Sequence, residues 1–148
     1  MENNNTLSFL EEKVNTNISV LKDKSKKNKN RTGFLGVTAV SLSALITLTL
    51  GMDIDGYEAW QKNIALVFGA LLTIVNGWIF MFNYKKLWVR QKKTLLNLYQ
   101  LKNKIEYLKS VGTYDQKKTD ELFSEYVDIW KNDGNEWISI QNDKKVKG

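Results

Sequence analysis

Two long runs without charged residues constrain this chain more than any other feature. Residues 33–52 (GFLGVTAVSLSALITLTLGM) and 63–84 (NIALVFGALLTIVNGWIFMFNY) contain no Asp, Glu, Lys or Arg. A helix needs about 20 mostly apolar residues to cross a hydrocarbon core of about 30 Å, and both runs reach that length. The alternative is two buried helices of a soluble core, but such helices usually keep a polar face. A chain of 148 residues could hardly cover two apolar helices, so the runs predict membrane spans.

The predicted fold is an all-α membrane protein, a two-helix transmembrane hairpin with amphipathic cytoplasmic helices at both ends, assembled as a homo-oligomer. The predicted segments are an N-terminal amphipathic and basic helix (1–32), transmembrane helix 1 (33–52), a short acidic outer loop (53–62), transmembrane helix 2 (63–84) and a C-terminal helical region (85–148).

The charges that flank the two runs predict the orientation. Basic residues precede the first run and follow the second: Lys22, Lys24, Lys26, Lys27, Lys29, Arg31, Lys85, Lys86, Arg90, Lys92 and Lys93. Because Lys and Arg near membrane ends stay on the cytoplasmic side, both termini are expected in the cytoplasm of a multi-pass inner-membrane protein. The abundance of Lys and Asn indicates an AT-rich genome, which favours a bacterial source. These flanks also attract anionic lipid. Nucleic-acid binding is the competing interpretation, but no recognition motif accompanies the charge.

The composition argues against an enzyme. The chain has no Cys and no His, which removes thiol chemistry and the usual acid–base residue. No glycine-rich phosphate loop occurs either. We therefore expect no catalytic residue, no cofactor and no metal site.

Apolar residues at helical spacing predict three amphipathic helices outside the membrane. Ser8 and Glu11 match a capping box, and Gly33 is a candidate break where the first helix enters the membrane. Gly112 is the expected stop of a long helix, Asp115 the expected cap of the last helix, and Asn132–Gly134 its expected end. The stripes are Leu7, Leu10, Val14, Ile18 and Leu21; Leu95, Leu98, Leu101, Ile105 and Leu108; and Leu122, Phe123, Tyr126, Ile129 and Trp130. They are expected to bury one another within a chain or to join chains.

Each membrane run carries small residues at every fourth position. The stripes are Ala39, Ser43, Thr47 and Gly51 in the first run, and Ala65, Gly69, Thr73 and Gly77 in the second. Helices in lipid pack closely through such residues. Two interpretations stay open: a tight hairpin within one chain, or contacts between subunits.

Asn76 lies near the middle of the second run. Gly69, Asn76 and Asn83 are seven residues apart and are predicted to share a face, with Thr73 beside them. Polar side chains in a span almost always face protein or water. Asn76 is therefore expected either to form a hydrogen bond to a Ser or Thr inside the bundle or to line a pore. Because two spans cannot enclose a pore, the second alternative requires an oligomer.

The ends of the runs carry two further sets of candidates. Asp53, Asp55 and Glu58 are placed to attract cations at an outer mouth, although such acids more often only solvate a loop. Trp60 at the outer end, and Tyr84 and Trp88 at the inner end, fit interfacial anchors.

The features above are followed by the segment LWVRQKKTLLNLYQLKNKIEYLK and by the ending DIWKNDGNEW. Together, in this order, they resemble the SLATT family of two-transmembrane effectors. Members of that family associate with SMODS nucleotidyltransferases or SLOG sensors in bacterial conflict systems. The resemblance covers roughly residues 8 to 140. It implies an effector that oligomerises, permeabilises the inner membrane in antiviral defence, and responds to a partner or nucleotide signal from a neighbouring gene. The alternatives are a non-conducting anchor whose cytoplasmic helices dock a partner, and a small constitutive channel subunit.

Overall fold

Four helices make up the part of the chain that the structure describes. The computed structural model describes residues 2–52, 56–112 and 115–145, with side chains for those between 5 and 142. The helices are α1 (Glu2–Gly51), α2 (Glu58–Phe82), α3 (Tyr84–Val111) and α4 (Gln116–Lys145). All regular secondary structure in these ranges is helical, as the apolar periodicity predicts.

The chain divides into two compact units. The first contains residues 1–27 and 86–148, which are the start of α1 with most of α3 and all of α4. The second contains residues 28–85, which are the rest of α1 with α2. The two predicted membrane runs thus lie together in the second unit, and the predicted cytoplasmic stripes lie together in the first.

The first unit is a three-helix bundle whose core consists of the predicted stripes. Its buried side chains are Leu7, Leu10, Val14, Ile18, Leu21, Leu95, Leu98, Leu101, Ile105, Leu122 and Ile129, with Leu108, Tyr126 and Trp130 packed against them. Leu7, Val14, Leu98, Leu101 and Ile105 have no exposed surface. The stripes, apart from the half-exposed Phe123, are therefore covered within one chain, and oligomerisation is not needed to bury them.

Polar contacts fix the register of the three helices at the border of this core. The Asn17 amide donates to the Tyr126 hydroxyl at 2.7 Å. The Thr94 hydroxyl donates to the Asp133 carboxylate at 2.6 Å, and Arg90 Nε lies 3.4 Å from the same oxygen. The side chains of Arg90 and Asp133 are each only 13% exposed, so solvent screens this pair little.

Other charged pairs lie at the surface of the bundle. Lys104 Nζ contacts Glu125 at 2.6 Å and links α3 to α4, with the two side chains 55% and 37% exposed. Lys93 pairs with Glu136, and Lys109 pairs with Glu11 of α1. Exposed pairs of this kind usually contribute about 1 kcal/mol or less.

The half-buried and the exposed carboxylates of α4 should differ in their effect on stability. We expect Asp133→Asn to lower the free energy of unfolding by about 1.5–3 kcal/mol, because it removes the charge facing Arg90 in a shielded site. The isosteric control Glu125→Gln should cost less than about 1 kcal/mol. Urea unfolding of the full chain in detergent, followed by circular dichroism, measures both. Equal midpoint shifts for the two variants would show that Asp133 acts as an ordinary surface charge.

Two predicted features of α1 are wrong. The helix begins at Glu2, so Ser8 lies inside it and its hydroxyl donates to the Asn5 carbonyl at 3.0 Å. Glu11 pairs with Lys109 of α3 instead of capping the helix. Gly33 is helical and no break occurs there, since one glycine costs a helix only about 1 kcal/mol.

The ends of α3 and the start of α4 agree with the sequence prediction. Gly112 follows the last residue of α3 with φ of +72°, the left-handed conformation that favours glycine. The carbonyl of Asp115, directly before α4, accepts the N–H groups of Lys118 at 3.1 Å and Thr119 at 3.3 Å.

The predicted end of the last helix at Asn132–Gly134 is wrong, because α4 continues to Lys145. Asp133 faces Thr94 and Arg90 of α3, and this contact offsets the weak helix preference of Asp and Gly. Trp137 and Ile138 therefore lie within α4.

Helix α2 begins earlier than predicted. It starts at Glu58, so residues 58–62, assigned to the outer loop from the sequence, belong to the helix. Asp53 and Asp55 lie outside the described residues.

Candidate functional site

The candidate site is the pair of apolar helical stretches in residues 28–85. The structure has two helical stretches long and apolar enough to cross a membrane, within Asn5–Gly51 and Glu58–Val111. Only 6% of each most apolar segment is buried in the chain. Phe34, Val40, Leu66 and Phe80 are each at least 70% exposed. A core helix of a soluble protein would be mostly buried, so the chain's own packing does not explain these apolar surfaces.

The two stretches run side by side in opposite directions. At one end the Gln61 amide donates to the Met52 carbonyl at 2.7 Å. At the other end the Arg31 guanidinium lies 5.6 Å from the centre of the Tyr84 ring. Neither contact is evident from the sequence pattern, because each joins residues that are distant along the chain.

The seam between the stretches combines large apolar residues with small and polar ones. Ala65 is buried, with 8% exposure. The partly buried residues of the seam recur at spacings of three and four, and are Leu35, Thr38, Ala39, Leu42, Ile46 and Thr49 on α1, and Gln61, Phe68, Gly69, Leu72 and Val75 on α2. Large apolar residues therefore make up half of the seam, and three small residues, Ala39, Ala65 and Gly69, also lie in it.

Most of the small residues predicted to pack lie outside this seam. Ala65 is buried in the seam and Ala39 and Gly69 are half-buried, whereas the other five are exposed: Ser43, Thr47, Gly51, Thr73 and Gly77. A Cβ built on Gly51, Gly69 or Gly77 meets no atom within 4 Å. No close approach within the described chain requires these glycines. Of the two predicted stripes, the seam in the described chain thus includes Ala39, Ala65 and Gly69 and leaves the other members exposed.

Five hydroxyl groups of the described stretches, those of Thr38, Ser43, Thr47, Thr49 and Thr73, donate to carbonyls of their own helices. Ser43 donates to the Ala39 carbonyl at 2.9 Å, Thr47 to the Ser43 carbonyl at 3.0 Å, and Thr73 to the Gly69 carbonyl at 2.9 Å. This i−4 bonding lets Ser and Thr face an apolar medium without an unpaired donor.

Asn76 differs from these hydroxyls. Its side chain is exposed and makes no hydrogen bond to any described residue. A carboxamide offers two donors and an acceptor that can accept twice. The hydrogen bond to a Ser or Thr of the same chain, one of the two sequence predictions for Asn76, is absent from the described residues. Asn76 thus has no hydrogen-bond partner within residues 2–52, 56–112 and 115–145.

Asn83 departs from the predicted face with Gly69 and Asn76. It follows the last residue of α2 and adopts φ 44° and ψ 44°, while its N–H donates to the Ile79 carbonyl. Asn tolerates this left-handed conformation better than most residues. Gly69 and Asn76, seven residues apart, therefore both lie within α2, whereas Asn83 lies after the helix and caps it.

The predicted outer end of the stretches carries two of the predicted residues within the described range. Glu58 lies in the first turn of α2 and is exposed. An acid there complements the positive helix N-terminus, which gives this side chain a structural role besides any attraction of cations. Trp60 is 68% exposed.

The predicted inner end is rich in aromatic contacts. The Phe82 ring stacks on Tyr84 at 5.5 Å and lies 5.2 Å from Trp78. Tyr84 and Trp88 are half-buried, and Trp88 belongs to the first unit.

A metal site is the other kind of functional site to consider among the described residues. Three or more His, Cys, Asp or Glu side chains do not come together there in a way that could hold a metal ion. Comparison of the chain with protein-family models, curated proteins and solved structures finds no match.

Proposed function

We propose that this chain is a pore-forming or membrane-disrupting effector, whose two apolar stretches insert as a transmembrane hairpin and whose copies assemble around a conducting path. The observation that supports it best is the exposed carboxamide of Asn76 in the middle of an apolar helix, without a partner in the described chain.

The cost of burying Asn76 in lipid favours assembly. An unsatisfied polar group in hydrocarbon costs several kcal/mol. Water in a channel or a polar group of a neighbouring copy removes that cost. Because two helices enclose no conduit, a water-filled path beside Asn76 requires several copies of the chain.

The outward small residues provide a surface for such copies. Thr73 and Gly77 on α2, and Ser43 and Thr47 on α1, are exposed in the single chain and carry no bulky side chain. Helix pairs in lipid approach closely through residues of this size. Since the seam within the chain does not use these residues, they remain available for contacts between subunits.

The charges support a hairpin with both ends in the cytoplasm. Lys29, Arg31 and Lys85 flank the inner ends of the two runs, whereas Glu58 begins α2 at the outer end. The positive-inside rule places the inner ends, and the three-helix bundle joined to them, on the cytoplasmic side of the bacterial inner membrane.

The biological role in this proposal rests on the resemblance to the SLATT effectors. On that basis the protein kills or arrests an infected bacterial cell after a signal from a sensor or nucleotidyltransferase. The closed three-helix bundle is the part of the chain we expect to receive the signal, since it lies outside the apolar stretches.

A second candidate function is a non-conducting anchor that docks a partner protein. The observation that favours it is a group of exposed apolar residues on α4, where Phe123, Val127, Trp137 and Ile138 are each 47–52% exposed. These residues lie outside the bundle core, and a partner helix would cover them.

Reconstitution of the full chain into liposomes tests the proposal. We expect oligomers in lipid nanodiscs by native mass spectrometry, and release of ions or a small dye from liposomes. In bacteria, expression together with the trigger should depolarise the inner membrane. A monomer in both detergent and bilayers would contradict the proposal. Oligomers that never conduct with the trigger present would favour the anchor, and conduction without any trigger would favour a constitutive channel.

A further inference from the structure

A cleft at the inner end of the apolar stretches combines a cation with aromatic and aliphatic walls. It measures about 310 Å³ and is lined by Arg31, Phe34, Leu35, Trp78 and Tyr84. All five residues belong to the same compact unit, residues 28–85. The cleft is thus a property of the paired helices and does not depend on how they are placed against the three-helix bundle.

The polar groups of the cleft can donate hydrogen bonds, and no described residue accepts a hydrogen bond from them. Arg31 stacks over the Tyr84 ring with its guanidinium carbon 5.6 Å from the ring centre. The guanidinium, the Trp78 indole N–H and the Tyr84 hydroxyl make no hydrogen bond or ion pair to any described residue. The Arg–Tyr stacking orients the guanidinium and leaves its N–H groups available. Such a set of donors suits an anion, and Arg recognises phosphate oxygens well.

The charge around the cleft favours an anionic ligand. Within residues 28–85 the acidic residues are Asp53, Asp55 and Glu58, all between the two apolar runs. Lys29 and Lys85 lie close to the cleft in sequence. No carboxylate of residues 28–52 or 56–85 competes for Arg31 at this end.

The apolar walls distinguish a lipid from a soluble anion. Phe34 is 72% exposed and Trp78 is 51% exposed, and both border the cleft. A free phosphate makes no use of these surfaces. A glycerophospholipid places its phosphate beside the cation and its glycerol and upper acyl carbons along the rings, the level at which Trp and Tyr concentrate in membranes.

We propose that this cleft binds the headgroup phosphate of an anionic phospholipid, and this rests on the membrane insertion in the proposed function. Arg31 contacts the phosphate, Trp78 and Tyr84 donate hydrogen bonds to the headgroup, and Phe34 and Leu35 contact the start of the acyl chains. The bound lipid would cover both helices and hold the inner end of the hairpin at the headgroup level.

Native mass spectrometry of the full chain in nanodiscs of equal phosphatidylglycerol and phosphatidylcholine tests the site. We expect phosphatidylglycerol to be retained in preference to phosphatidylcholine, and Arg31→Ala to reduce this preference about tenfold, since a phosphate ion pair with hydrogen bonds contributes about 1.5–3 kcal/mol. Trp78→Phe, which keeps the ring and removes the N–H, should reduce it by a smaller factor. Lys29→Ala is the matched control, because it removes the same charge two residues from Arg31 and outside the cleft.

The outcomes separate the site from general attraction of lipid to positive charge. Equal losses for Arg31→Ala and Lys29→Ala, or no effect of Trp78→Phe, would overturn the specific site. Displacement of the bound lipid by millimolar glycerol phosphate would also overturn it, because the apolar walls would then contribute nothing. A chain that alkaline carbonate removes from liposomes contradicts the proposed function as well, whereas an inserted chain without lipid preference contradicts only the site.

Discussion

Truncation of Leu98 to alanine is expected to destabilise the three-helix bundle by about 2–5 kcal/mol. Leu98 has no exposed surface and lies in the middle of α3, within the core formed by α1, α3 and α4. Removing three carbons from such a site loses their transfer free energy and leaves a cavity that the neighbours fill only in part. At the lower limit the population of the open bundle rises about thirtyfold.

Leu96→Ala provides a matched control on the same helix. Leu96 is 54% exposed, so the same truncation removes little buried surface and should change stability by less than about 0.5 kcal/mol. Hydrogen exchange of the full chain in detergent, followed on peptides from α3, measures both variants without requiring the membrane stretches to unfold. Similar loss of protection in the two variants would show that α3 is not packed as the structure places it.

The stripes of the bundle were predictable because helical burial has a period that sequence displays. Leu95, Leu98, Leu101 and Ile105 recur at spacings of three and four, and all four are buried. Phe123 shows the limit of that pattern, since it was placed in the α4 stripe and is 49% exposed. Its neighbour Leu122 faces the core instead, and periodicity cannot separate adjacent apolar residues on a helix border.

Local signals failed where contacts between helices outweigh them. Asp133 and Gly134 predict the end of a helix by their preferences, yet α4 continues because Asp133 meets Thr94 and Arg90. Ser8 and Glu11 have capping-box spacing, yet Glu11 pairs with Lys109, which is far along the chain. The partner that decides each case lies on another helix, and a single sequence does not show which helices meet.

The residues of the two apolar helices were predictable from the sequence, but the side of each helix that packs against the other was not. The sequence shows that small and large residues occupy different sides of both apolar helices. It does not show which side a chain turns to itself, because both Leu-rich and Gly-rich seams occur in membranes. The structure places Leu42 and Leu72 in the seam and leaves Thr73 and Gly77 exposed. Likewise, the sequence shows Arg31 only as one of several flanking charges, and only the structure reveals its contact with Tyr84, the first residue of α3.

Replacement of Asn76 by leucine is expected to lower the release of ions from proteoliposomes by about tenfold or more. In the proposed assembly each copy contributes one carboxamide, and an interhelical hydrogen bond in lipid contributes about 1–2 kcal/mol or less. All copies lose that contribution together, and leucine also replaces a group that water can solvate. Asn76→Gln, which keeps the carboxamide, should retain more of the conduction than Asn76→Leu.

Ile74→Leu is the matched control, because Ile74 lies two positions away, is 63% exposed, and remains apolar after the change. Stoichiometry in nanodiscs separates two ways in which Asn76 acts. If Asn76→Leu forms complete oligomers that conduct poorly, the carboxamide lines the path; if the oligomer dissociates, the carboxamide joins subunits. If Asn76→Leu conducts as well as the original chain, the exposed side of α2 faces lipid. The need to solvate the Asn76 carboxamide would then no longer favour a pore over an anchor.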